Sequence, residues 1–592
     1  MLYMEFLTQR IQNIKWRYSK VNTELHKEIY KEEEKNPIEL EVIENEEDNV
    51  PLLQDTDNGT SREELKTLRR VPDDIPTGKI KRTIATWYIV LCELCERFTF
   101  YGVSGPFQNY IEFPAPKNLG EQSGAIGKGQ QAATALSLFF SFFSYVTPII
   151  GAIVADQYLG KYKTILCFSI IYITGLSVLT ITATPIAISS GASLPGLVLA
   201  MIIIGLGAGG IKTNVSVMVA EQYTKKKSFI RTLKNGEKVI VDPKLTIQSI
   251  FAWFYVAINL GAISPIVTTT VEKYHSFWLA FLIPLIICLI SVTIFYIGRN
   301  KYVHTKPSSH GSIILNAIKV IRITLMNKRD FEKAKPSQMI QFEQKENGVS
   351  WNDQFVDELR SAINACRVFM FFPIYSAAFN QLYANLVSQA ATMRPGILPN
   401  DIMSCLDPIT FVIIVPLIDR VFYPFLRGHG ISFGSITRIF IGMMFASAAM
   451  IYSALIQWWI YNTGPCYRNT HCLVDGKATY NDISIWWQAP IYFMLAICGA
   501  FASVTSLEFA FQKAPISMKS IVTALYLTTH GLGAAIGLLI VPLAHDPYNI
   551  YVYVILALIT FIAASPQEQK KWDLKEIVTI RRSNFLSWNW EK

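Results

Sequence analysis

The sequence predicts an all-α membrane protein of twelve spanning helices arranged as two six-helix bundles, and three observations carry that reading. Of 592 residues, 51% are hydrophobic and only 17% are charged, where soluble domains carry about 25% charge. The apolar residues gather into windows long enough to span a bilayer, which takes roughly 20 residues. These windows lie near 86–111, 131–155, 162–183, 195–222, 247–271, 276–298, 364–388, 402–424, 432–461, 485–510, 519–543 and 548–564. A polar stretch at about 299–363 divides them six and six, as in carriers whose halves rock about a central cavity. An ordinary soluble enzyme is excluded.

Residues 1–83 come first, with Glu32, Glu33, Glu34 and the cluster from Glu39 to Asp48. Few large apolar residues recur there, so an acidic disordered tail is expected. No N-terminal signal peptide is legible, and the first span should serve as its own insertion signal. Residues 84–298 form the first bundle, 299–363 the linker, 364–564 the second bundle and 565–592 a closing tail. Within the linker, Ile313 to Leu325 repeats apolar residues at helical spacing around Lys319 and Arg322, the pattern of a helix lying in the membrane interface.

An even number of spans puts both termini on one side. The loops on that side hold Lys161, Lys163, Lys225, Lys226, Lys227, Arg231, Lys234, Lys238, Lys244, Arg420, Arg427, Lys513 and Lys519. The opposite loops hold Lys117, Lys128, Lys273, Arg394, Arg468 and Lys477. Basic loops stay cytoplasmic, so both termini are expected there. The same loops explain the net charge of +9 without a nucleic-acid partner; lipid is the surrounding partner. Of nine cysteines, Cys466 and Cys472 stand in a polar segment on the opposite side, where an oxidising exterior would let them form a disulfide.

Ionisable groups inside spans carry the function, because each costs on the order of 2.5–3.5 kcal/mol to insert. The first span holds Glu93, Glu96 and Arg97 on one helical face. Two carboxylates beside one guanidinium leave a negative charge that a proton relieves, which suits a proton-coupled carrier; the alternative is a static ion triad that packs helices. The fourth span holds Lys212 and Asn214 after Gly205-Leu-Gly207-Ala-Gly209-Gly210. That run satisfies GxGxxG, but no strand and no βαβ unit accompany it, so the glycines are read as close helix contacts. Lys212 needs a partner, for which Glu93 or Glu96 is the candidate, unless it snorkels to the membrane edge.

Further polar residues come from both halves: Asn259 in the fifth span, Asn380, Gln381 and Asn385 in the seventh, Asp407 in the eighth, and Tyr526 and His530 in the eleventh. Singly each could be an interhelical hydrogen bond; together they suggest a polar central cavity. His530 either titrates or simply bonds. Asp156, Gly160, Lys161 and Lys163, between the second and third spans, read as a charge clasp at an inner gate. Glu508, near the inner end of the tenth span, reads as a gating group. Cys92-Glu-Leu-Cys95 lacks the context of a redox motif, and no HExxH, GKS/T or GxSxG match has a suitable fold around it. No enzyme, metal site or cofactor is expected, protons being the coupling ion.

In family order, Glu93-Leu-Cys-Glu96-Arg97-Phe98, the clasp segment ending at Asp156, Gly209-Gly210-Ile-Lys212-Thr-Asn214-Val-Ser216, and Phe254-Tyr255 with Ile258-Asn259-Leu-Gly261 resemble the signatures of the proton-dependent oligopeptide transporter family, a branch of the major facilitator superfamily. The likeness is strongest to its fungal di/tripeptide permeases and covers about residues 80–564, through Asn385 to Gln389, Leu406-Asp407-Pro408, the Cys466/Cys472 loop and Thr505 to Glu508. The resemblance implies symport of small peptides with protons across the plasma membrane, and a monomer is expected because one chain carries both halves. It implies proton coupling by Glu93, Glu96, Arg97 and Lys212, and peptide contacts from Tyr101, Tyr145 and Asn259. Tyrosine and asparagine hold a peptide backbone without reading its side chains.

Four positions depart from the family pattern. Phe100 replaces the first of two tyrosines after ERF, Ser104 stands where many relatives carry a cavity arginine, and Asn380 stands where bacterial members carry glutamate. Gly499 aligns with a glutamate that grips the peptide amine, a task Asp407 could take over from the same half. These departures keep open a carrier of the same fold for another small nitrogenous or carboxylate solute. The long acidic tail also leaves a non-transporting nutrient sensor in view.

Overall fold

The structure, a computed structural model, describes residues 70–71, 81–116, 122–223, 229–232, 238–241, 243–304, 313–327, 330–338, 350–394, 399–429, 434–468, 473–474, 477–478, 480–513, 515 and 518–564. The acidic and closing tails, Lys225, Lys226, Lys227 and Lys234 lie outside these residues. Helix occupies each of the twelve apolar windows. In chain order the spans are α1 (Lys81–Ser104, continuing as Phe107–Glu112), α2 (Gly129–Leu159), α3 (Lys161–Thr182), α4 (Ser193–Glu221), α5 (Pro243–Gly261 and Pro265–Tyr274) and α6 (Phe277–Ile297). The second half comprises α7 (Asp353–Ala391), α8 (Leu406–Leu417, continued through Ile418–Phe422 to Gly428), α9 (Ser435–Asn462), α10 (Ile485–Ala510), α11 (Lys519–Ile540) and α12 (Asn549–Ala563).

Among the described residues, nine helices are long and apolar enough to cross a membrane by length and composition alone. The other three have local reasons to fall short. α1 carries Glu93, Glu96 and Arg97 in its middle, α12 has 15 residues, and α8 passes from α-helix to a π-turn after 12. Proline divides two spans, since it donates no hydrogen bond and crowds the preceding turn: Pro106 in α1 and Pro265 in α5. α7 begins at Asp353 rather than near 364. Its first segment is amphipathic, burying Val356, Leu359, Ala362 and Ala365, so an apolar window passes over it. Asn352 caps that segment by accepting from the Phe355 backbone N–H at 2.9 Å.

Each bundle has its own core, around Tyr110, Tyr172 and Phe281 in the first and Leu382, Tyr492 and Tyr553 in the second. The glycines of α4 act as the sequence suggests: a Cβ on Gly207 would lie 2.7 Å from the Tyr172 backbone on α3, and one on Gly210 would enter the Phe168 ring. The bundles meet where α2 crosses α11 and α5 crosses α8. The linker helix Ile313–Met326 buries Ile314, Ala317 and Val320 while Lys319 and Arg322 stay exposed. It touches α2 and α11, one from each bundle. Beside it, Lys335 bridges Glu332 at 2.8 Å and Asp357 at 2.9 Å. These two carboxylates hold its ammonium above the usual lysine range.

The all-α expectation omits a small sheet. β1 (Arg70–Val71) runs parallel to β3 (Lys238–Val241), which pairs antiparallel with β2 (Phe229–Thr232) between α4 and α5. Asn235-Gly236 between two β-rich runs is the hairpin signal that the basic residues of this loop obscure. Of the two cysteines expected to pair, Cys466 is disulfide-bonded, and Cys472 lies outside the described residues.

Candidate functional site

A cavity of about 240 Å³ lies between the bundles, lined from the first by Phe100, Tyr101, Ser104, Tyr145 and Asn259 and from the second by Asn380, Tyr383, Asp407, Phe411, Gly499 and His530. Of the nine residues expected around a polar cavity, six therefore share one surface, Tyr101, Tyr145, Asn259, Asn380, Asp407 and His530, while Gln381 and Asn385 lie outside it. Tyr526 stands behind His530, its ring 4.9 Å away and edge-on. His530 also stacks on Tyr145 at 5.4 Å and shares a 3.1 Å hydrogen bond with the Ser376 hydroxyl. Asn259 is held by its own helix, its amide donating to the Tyr255 carbonyl at 2.8 Å.

Local breaks in the helices place these groups. α7 tightens to a 3-10 turn over Asn380–Tyr383, and α10 widens to a π-turn over Gly499–Ser503. Such departures re-aim side chains and recur at functional sites. A Cβ on Gly499 would meet only the Phe411 ring, at 3.5 Å, so the position is open toward the cavity. Asp407 is buried, and its Oδ1 has no hydrogen-bond partner among the described residues.

Glu93, Glu96 and Arg97 sit at 3% exposure each. Arg97 Nε lies 3.2 Å from Glu93 and donates to Glu96 at 2.6 Å. Glu93 Oε2 and Glu96 Oε1 are left without hydrogen-bond partners. The Arg97 guanidinium also lies 5.4 Å from the centre of the Phe100 ring, which connects the cluster to the cavity wall. Lys212 takes a position other than the expected ion pair: its ammonium lies over the Tyr145 ring at 4.1 Å. Lys212, Tyr145, His530 and Tyr526 thus form a column that crosses from one bundle to the other.

Gly261 sets the distance between this cluster and α5. A Cβ there would lie 2.5 Å from Arg97 Cβ and 2.9 Å from the Leu94 carbonyl. Gly261→Val is expected to lower stability by about 1–3 kcal/mol through overpacking, and thermal unfolding in detergent, followed by tryptophan fluorescence, measures it.

The candidate gating residues lie at the junction of α2 and α3 and on α10. Asp156 lies on the π-turn Ala155–Leu159; Gly160 adopts φ 73°, a conformation natural to glycine, and starts α3. Lys161 pairs with Glu221 at the end of α4, while Lys163 and Glu508 are exposed.

A polar seal escaped the sequence reading. At the end away from the linker helix, Gln108 donates to Ser388 at 2.9 Å and to Glu112 at 3.2 Å, and Ser388 also bonds Glu112. Thr134 donates to Asn385 at 2.9 Å, and Gln130 and Asn549 exchange bonds of 3.1 and 2.9 Å. All of these join one bundle to the other, apart from the Gln108–Glu112 bond within α1. Glu112 and Glu272 stand near segment ends, where charges are ordinary, and only the fold shows them buried.

The sequence profile of the POT family matches residues 162–557. The chain belongs to the POT family. A probable peptide transporter of Schizosaccharomyces pombe is 43% identical over 503 residues, covering 85% of this chain and 79% of the relative. A peptide transporter of Saccharomyces cerevisiae is 39% identical over 514 residues, covering 87% and 82%. Among solved structures, the POT family transporter PepTSo aligns with a TM-score of 0.63 at 21% identity, over 83% of this chain and 98% of that one. An auto-inhibited POT family peptide transporter aligns at 0.62 and 23%, over 81% and 95%. The fold of this POT member is thus the one its sequence predicts, an integral membrane transporter rather than an enzyme.

Proposed function

We propose that this chain is a proton-coupled symporter that imports di- and tripeptides by alternating access. The observation that carries the reading is the cavity between the bundles. It gathers tyrosine and asparagine side chains for a peptide backbone and the carboxyl of Asp407, whose Oδ1 has no hydrogen-bond partner among the described residues, for an amine, beside a buried cluster with one carboxylate more than it has guanidinium. Glu93, Glu96, Arg97 and Lys212 act as the proton-coupling groups. Tyr101, Tyr145, Asn259, Asn380, Asp407, Tyr526 and His530 serve the substrate, and Asp156, Lys161, Lys163 and Glu508 serve an inner gate. The basic loops and the linker helix mark the cytoplasmic end, so both termini are cytoplasmic and the polar seal faces outward. The chain works as a monomer in the plasma membrane, since both halves of the cavity come from one polypeptide.

Labelled alanyl-alanine or di-leucine, offered to peptide-transport-deficient cells expressing the chain, tests the reading. Uptake is expected to be stronger at acid than at neutral pH and to collapse with a protonophore. Absence of uptake with the protein at the surface would sink it. Gly499 favours a second reading, a carrier for another small nitrogenous or carboxylate solute. That reading gains if peptide uptake appears only in Gly499→Glu.

A further inference from the structure

Two carboxyl groups face one another inside the polar seal. Glu272 lies near the end of the segment Pro265–Tyr274 of α5, and Asp401 begins the 3-10 turn Asp401–Cys405 that leads into α8. They come from different bundles and are 3% and 0% exposed. Glu272 Oε1 accepts from Asn109 at 3.0 Å and from Ser123 at 2.8 Å. Among the described residues its Oε2 has no donor and neither oxygen of Asp401 has a side-chain donor; the backbone N–H groups of Asp401 and Ile402 approach the Asp401 carboxyl. The segment Pro265–Tyr274 packs against the turn Asp401–Cys405, which brings the two carboxyls within hydrogen-bonding reach of each other. Around them Asn109 and Asn400 exchange two amide bonds of 2.9 Å across the bundles, and Gln122 donates to Asn400 at 2.8 Å.

Buried oxygens of this kind are costly without a partner. Two ionised carboxylates in hydrogen-bonding reach repel and do not both stay charged. One proton between them turns the repulsion into a short, charge-assisted O–H···O bond. The other ionisable groups that act on the pair are Lys273 on the same segment, Cys405 in the turn and Tyr492 on α10. Glu112 belongs to the neighbouring network with Gln108 and Ser388.

We propose that Glu272 and Asp401 form a second proton-binding site, separate from the cluster on α1, that latches the outer ends of the bundles. With one shared proton the seal is shut; when the proton leaves to solvent, the two carboxylates separate into water and the seal opens. The sealed state holds one proton more than the open one. Raising the pH through the titration of the pair therefore lowers the sealed-to-open ratio by up to about tenfold per pH unit. An acidic exterior shuts the outer end. That this shutting helps drive import rests on the symport reading, whereas the latch itself does not.

Hydrogen–deuterium exchange of the full chain in lipid nanodiscs from pH 5 to pH 8, corrected for intrinsic exchange and run without substrate, tests the latch. Segments 107–112, 265–274 and 385–394 are expected to lose protection as the pH rises, by up to about tenfold per unit, while the α3–α4 contact stays constant as a reference for folding. Asp401→Asn and Glu272→Gln each supply an amide N–H in place of the proton, and each is expected to hold the seal shut across the range. Lys273→Gln is expected to keep the pH response. A flat wild-type profile, an unchanged response in both amide variants, or loss of the response in Lys273→Gln would each overturn the proposal. Because no peptide is present, failure here is separate from failure of the uptake assay.

Discussion

Glu96→Gln is expected to abolish accumulation of substrate against its gradient while leaving substrate binding intact. In the wild type, Glu96 and Glu93 share the single guanidinium of Arg97, with bonds of 2.6 and 3.2 Å. The carboxylates therefore outnumber the guanidinium inside a site with 3% exposure, and a proton taken up there changes the charge that Arg97 and Lys212 balance. Glutamine keeps the acceptor for Arg97 and removes the titration. One proton moving through about 100 mV supplies ~2.3 kcal/mol, which corresponds to a roughly fiftyfold concentration ratio. Steady-state accumulation in acid medium should fall by that order, toward equal concentrations inside and out. Exchange of labelled for unlabelled peptide across the membrane should continue, because it moves no net proton. Acid-stimulated accumulation that survives in Glu96→Gln would remove this cluster from the coupling step.

The twelve spans were legible because bilayer burial writes itself into every window of sequence, whichever helices later touch. The cavity was legible for a related reason: polar side chains such as Asn380, Asp407 and His530 stand out against an apolar background, and six of the nine expected residues line one surface. What sequence did not disclose depends on pairing across the bundles. Lys212 was read as a partner of Glu93 or Glu96; its charge acts on both, but its ammonium lies over the Tyr145 ring of α2 at 4.1 Å. Glu272 and Asp401 lie near segment ends, where water is the expected neighbour. Only the approach of α5 to the turn before α8 takes that water away. Likewise the polar start of α7 is invisible to an apolar window, since its buried face packs against the inner ends of α10 and α11.

Asp407→Asn is expected to raise the KM for a dipeptide with a free amino terminus by roughly thirtyfold or more, while a peptide with an acetylated amino terminus is little affected. Removing one partner of a desolvated charge pair costs about 2–5 kcal/mol, and each 1.4 kcal/mol is about tenfold. Asp407 is the lining residue on the second bundle whose buried carboxyl oxygen has no partner among the described residues. Gly499 lines the same cavity and leaves room for a side chain, its nearest neighbour being the Phe411 ring at 3.5 Å. Gly499→Glu in the Asp407→Asn background should therefore return the charge from α10 and recover most of the lost affinity. In the wild-type background the same substitution places two carboxylates in one cavity, where they repel, and should help far less. This non-additivity is the signature of two positions serving one amine, and a double-mutant cycle on KM reads it directly. Equal losses for free and acetylated peptides in Asp407→Asn would instead make Asp407 a structural group of α8, and Gly499→Glu would then give no recovery.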